Sequence, residues 1–122
     1  MDLGLTTLRG IHDLEETLDK SHQRPVLLFK HSHTCGISAE ALDGLRSHID
    51  AHVHTAAVEY AMVTVQTHRE ISNKIAERLG VRHETPQAIL VRDGRAVWSA
   101  SHFRVNADEL RKVLSAAAAQ SA

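Results

Sequence analysis

Residues Pro25 to Ser38 read PVLLFKHSHTCGIS, and this stretch decides the fold. Pro25 stops the segment before it, because its ring excludes a helix interior. Val26-Leu27-Leu28-Phe29 is a short continuous apolar run that suits a strand buried on both faces. A polar turn follows, His31-Ser32-His33-Thr34. The spacing then changes: Ile37, Ala41 and Leu45 recur every four residues, flanked by Leu42 and Ile49, which predicts a helix over 35–49. A doubly buried strand that turns into a helix is the unit of a parallel sheet with right-handed crossovers.

Upstream, Leu5 to Leu8 reads as a short strand and 10–21 as a helix with Ile11, Leu14 and Leu18 on one face. Downstream, 57–65 is a strand rich in β-branched residues. Thr67 and Glu70 have capping-box spacing and predict the start of a third helix, with Ile71, Ile75 and Leu79 inward and Gly80 as its C-terminal cap. After Thr85-Pro86, the runs 88–91 and 96–99 flank Asp93-Gly94, a strong hairpin signal. Asn106 and Glu109 repeat the cap spacing before a last helix to about Ala119 that buries Leu110, Val113, Leu114 and Ala117. The order predicts an α/β fold: a central mixed β-sheet of four to five strands with helices on both faces, as one domain over 1–122. A doubly wound nucleotide-binding fold is not expected, since strand and helix stop alternating and no Gly-rich phosphate loop is present.

The composition fits one such domain. At 122 residues and 13.5 kDa, roughly two-thirds of the unfolded surface is buried on folding, so a core forms without disulfides. Fourteen basic and fifteen acidic side chains leave a net charge of -1, and only 3% of residues are aromatic. Neither feature suits nucleic-acid binding. No apolar run approaches the ~18 residues of a membrane span, and no signal-peptide core follows Met1, so a cytoplasmic protein without membrane partners is expected. A single cysteine excludes an internal disulfide and a four-cysteine zinc site.

That cysteine, Cys35, begins a helix a few residues after a buried strand. A lone cysteine is ordinarily an inert core residue, but Cys35 lies off the Ile37-Ala41-Leu45 face, at the strand end where α/β sheets place ligands. Unpaired N–H groups and the partial positive charge of a helix N-terminus favour a thiolate. His31 and His33 either add positive charge beside the thiol when protonated or are plain polar loop residues, Gly36 permits close approach of another chain, and the Ser38 hydroxyl comes round to the same face, where it can hydrogen-bond to the sulfur. Lys30 ends the apolar strand and either senses the thiolate or carries its ammonium to the surface, the latter being the expectation, and Trp98 is expected to pack under the hairpin. Ten histidines are many for this length, but His48, His52 and nearby His54 have no further ligand at clear spacing, so they read as solvated and no metal site is expected.

Pro25 to Ser38 resembles the active-site segment of the thioredoxin superfamily, a buried strand running into a Cys-x-x-Cys turn whose second cysteine is here a serine. Thr85-Pro86, with the hairpin that follows, resembles the superfamily's cis-proline. Phe29 to Ser38 is similar, more narrowly, to the monothiol bacilliredoxins, which are linked to the small thiol bacillithiol. The resemblance implies a monothiol thiol–disulfide oxidoreductase in which Cys35 takes the small thiol from a mixed disulfide on an S-thiolated client protein. It places Thr34, Gly36, Ser38, Thr85 and Pro86 around the bound thiol or substrate, and makes bacillithiol or a similar thiol the co-substrate with no tightly bound cofactor. Cys-Gly-Ile-Ser is also close to the Cys-Gly-Phe-Ser of monothiol glutaredoxins, which implies a [2Fe–2S] carrier as the alternative. A sensor capped once by a small thiol, without turnover, is a third possibility.

Overall fold

The structure is a computed structural model and describes residues 4–52 and 57–121. Five strands, β1 (Leu5–Thr7), β2 (Val26–His31), β3 (Glu59–Thr64), β4 (Gln87–Arg92) and β5 (Arg95–Ser101), form one sheet in the order β1-β3-β2-β4-β5. β1, β3 and β2 run parallel, and β4 and β5 close the sheet antiparallel. The mixed sheet follows from the connections: helices α1 (Ile11–Lys20) and α2 (Gly36–Ala51) supply the crossovers, whereas Asp93 and Gly94, both at positive φ, supply the tight hairpin.

Alternation along β2 assigns the two faces. Leu27 and Phe29 pack with Ala41, Leu42 and Leu45 of α2 and with Leu110 and Leu114 of α4 (Ala107–Ser121). Val26 and Leu28 pack with Leu14 and Leu18 of α1 and with Ile71 and Ile75 of α3 (Arg69–Leu79). β2 is central and buried on both sides, which is why its apolar residues run without a break. Gly80 caps α3 in the left-handed region, and Asn106 Oδ1 accepts from the Glu109 N–H at 3.0 Å, both as the spacing predicts.

Two expectations are corrected. Thr67 does not cap α3. Its hydroxyl turns back to the Thr64 carbonyl and to His68 Nδ1, and the helix starts at Arg69 with His68 as its N-cap residue. Lys30 does not reach the surface. It is 0% exposed, because the chain after α3 passes over it. His54 lies outside the described residues.

Candidate functional site

The parallel pairing of β2 and β3 brings their carboxyl ends together at His31 and Thr64. The turns that leave them are tied by Gln66, whose amide donates to Ser32 Oγ at 2.7 Å and Thr34 Oγ1 at 3.3 Å, while its carbonyl accepts from the His33 N–H. Gln66 carries no motif in the sequence. The signal for it is positional, a polar residue just past the end of the strand beside β2.

Cys35 is the N-cap residue of α2, in extended conformation at φ -117° and ψ 122°. It is half-buried and its thiol makes no capping hydrogen bond, so the sulfur is left available at the helix start. Gly36 is exposed, and a Cβ there would meet nothing within 4 Å, so packing within the chain does not demand glycine at that position. Thr34 and His33 are exposed in the turn.

Ser38 is fully buried, and its oxygen is held twice: it accepts from the Ser32 N–H at 2.9 Å and lies 2.8 Å from His31 Nδ1. Burial first, then Arg46 and His33, push the His31 pKa down from the usual 6.5. The lowered pKa favours neutral His31, whose Nδ1 pairs with the Ser38 hydroxyl as acceptor or donor according to its tautomer. The Ser38 hydroxyl is thus directed to His31 and Ser32 rather than to the sulfur, and burial favours the uncharged form of His31. His33, exposed in the turn, adds to the lowering of the His31 pKa, and its backbone N–H is held by Gln66.

The Thr85-Pro86 bond is cis. Gln87, which follows it, pairs with Lys30 of β2, so Pro86 sits at the end of the sheet from which the turn to Cys35 leaves. The Pro86 carbonyl accepts from the His102 N–H at 2.9 Å, and His102 Nε2 meets Glu84 Oε2 at 2.9 Å. His48 and His52 stack at 4.2 Å far along α2, and among the described residues no group of three or more His, Cys, Asp or Glu side chains is arranged to hold a metal ion. No helix among the described residues is long and apolar enough to cross a membrane.

A central strand followed by a turn that sets a lone, half-buried cysteine at a helix start, with a cis-proline loop at the same end of a β1-β3-β2-β4-β5 sheet, defines a protein of thioredoxin fold. Solved structures agree. One thioredoxin-fold structure is 29% identical, with a TM-score of 0.79 over 91% of this chain and 94% of its own. Thioredoxin of Fasciola hepatica is 20% identical, with a TM-score of 0.74 over 92% and 98%. Mitochondrial thioredoxin 3 of Saccharomyces cerevisiae is 16% identical, with a TM-score of 0.71 over 92% and 94%. The sequence profile described as monothiol bacilliredoxin BrxC matches residues 6–110, and the chain belongs to that family. Its function is thiol redox chemistry.

Proposed function

We propose that the protein is a monothiol exchanger that removes a low-molecular-weight thiol, bacillithiol in the first instance, from mixed disulfides on client proteins. The observation that carries this is the pair Cys35 and Ser38: a free, half-buried cysteine at the helix start, and a buried hydroxyl with two hydrogen-bond partners where a resolving sulfur would stand. The Cys35 thiolate attacks the small-thiol sulfur of the client mixed disulfide. The Cys35–small-thiol bond forms, the client S–S bond breaks, and the client leaves as a thiolate. A second molecule of small thiol, as its thiolate, then attacks that same sulfur. A symmetric small-molecule disulfide leaves and the Cys35 thiolate returns.

The chain needs no tightly bound cofactor for this cycle. It needs a reduced small-thiol pool, as a cytoplasm supplies. Thr34 and Gly36 border the sulfur in sequence, and the Thr85 backbone offers polar groups to an extended client segment at the same end of the sheet.

The test is intact mass and client release with a bacillithiolated and a glutathionylated peptide. The expected result is transient uptake of one thiol on Cys35, turnover on adding reduced thiol, and faster turnover with bacillithiol. Uptake without turnover would make the protein a sensor. Visible absorbance from a bound cluster after anaerobic reconstitution, with no exchange, would make it an iron–sulfur carrier.

A further inference from the structure

Lys30 and His83 take no part in the exchange described above, yet they form a contact between a fully buried cation and an imidazole. Lys30 is fully buried on the α3 face of β2, beside Leu28 and across from Gln87. Its Nζ lies 3.2 Å from His83 Nδ1, and the hydroxyl of Ser72, itself fully buried on α3, lies 3.2 Å from the same nitrogen. An ammonium only donates, so Nδ1 must present its lone pair and His83 must be neutral, with its proton on Nε2.

His83 stands in the segment between α3 and β4 that also carries Thr85 and Pro86. Other bonds shape that segment. Gln87 reaches back to the Arg82 carbonyl at 2.8 Å, and His102 takes Glu84 and the Pro86 carbonyl. These grips come from β4 and from the turn after β5. The Lys30 contact comes from β2, the strand that leads to Cys35.

We propose that Lys30 is a positioning residue for thiol exchange: its buried ammonium holds His83, and through it fixes the Thr85-Pro86 segment relative to the end of β2. The proposal rests on the exchange reading of Cys35. Its cost explains why the arrangement is informative. A buried cation with no carboxylate partner among the described residues is unfavourable for folding, and an apolar residue of similar length would pack there at least as well. The electrostatics around His83 give the contact a pH limit. Lys30 and Arg69 face it as cations and Ser72 as a neutral donor, while Glu84 is the one anion acting on it. Protonation of His83 would turn Nδ1–H against the ammonium and release the segment.

The test compares Lys30→Met, His83→Asn and the unaltered protein, with a glutathionylated peptide as substrate and iodoacetamide alkylation of Cys35 as a readout of the thiol alone. In Lys30→Met, KM for the peptide should rise about tenfold while the alkylation rate stays within about twofold. The melting temperature should hold or rise, which a merely structural role would not give. His83→Asn offers Oδ1 as an acceptor for Lys30 without titrating. It should retain exchange within about threefold and lose the part of the acid-side decline that alkylation does not share. An unchanged KM in Lys30→Met, or a loss of exchange matched by an equal loss of alkylation, would overturn the proposal. If the unaltered protein shows no exchange, the exchange reading fails on its own. Amide hydrogen exchange then still decides the anchoring: residues 82–85 should lose protection in Lys30→Met, and unchanged protection would refute it.

Discussion

Lys30 and His31 are neighbours in sequence, yet they leave β2 on opposite faces and serve opposite walls of the site. On the α2 face, His31 meets a serine hydroxyl that also satisfies a backbone N–H. On the α3 face, His83 meets an ammonium and a serine hydroxyl. Burial heads the causes that keep both imidazoles below the usual pKa of 6.5. The difference lies in what each contact tolerates. A hydroxyl can reverse, accepting from a protonated imidazole, whereas an ammonium cannot. The wall that carries Cys35 is therefore built to survive acidification better than the wall that carries Pro86.

The largest expected effect sets a baseline for both walls: Cys35→Ala should abolish thiol uptake and client release, measured by intact mass, since the chain has no other cysteine. The next separates the walls by alkaline titration. Burial pulls the Lys30 pKa from the usual 10.5 down to about 8. Between those values the unfolded chain binds more protons, so stability should rise with pH from about 8 to 10.5, by at most about 3 kcal/mol. Urea unfolding of the protein and of Lys30→Met, compared across that range, should show the rise only in the former.

Ser38→Ala should cost about 2 kcal/mol, because the buried Ser32 N–H loses its acceptor. Acidification comes next. His31, His48 and His83 all have lowered pKa values, so the unfolded chain takes up protons first as pH falls through 6.5. Stability should be flat in these groups above that pH and decline below it, in chemical denaturation compared at pH 7.5 and 5.5. The smallest effect, about 0.5 kcal/mol, is expected for Ser72→Ala, because Lys30 still meets His83 Nδ1 and no backbone N–H loses its acceptor. A cost for Ser72→Ala equal to that for Ser38→Ala would erase the distinction between the walls.

Much of the fold is legible from local pattern. The run Val26 to Phe29 marks the central strand, Asp93-Gly94 marks the hairpin, and Asn106 with Glu109 marks the start of α4, because in each the deciding contacts lie within a few residues. Cys35 and the Thr85-Pro86 segment were likewise visible through their resemblance to a known pattern. Lys30 was not. Its burial goes with a segment that includes His83, 53 positions later, and nothing near Lys30 announces it. Gln66 escaped for the same reason, since its bonds reach 32 to 34 positions back. Thr67 misled because a Thr-x-x-Glu spacing says nothing of where the strand before it ends. Here the turn after Thr64 claims the hydroxyl first.

The position of Cys35 has a consequence for helix stability. Serine, threonine, aspartate and asparagine favour the N-cap because their oxygens accept from the first free N–H groups, and Cys35 fills that place without such a bond. The helix therefore begins without the side-chain acceptor that its backbone is already arranged to receive. Cys35→Ser, the natural inactive control, supplies that oxygen at an unchanged extended backbone and should melt higher than the active protein, by an amount reflecting about 0.5–1 kcal/mol. The reactive sulfur is thus kept at the expense of α2, and a screen for thermal stability alone would select against it.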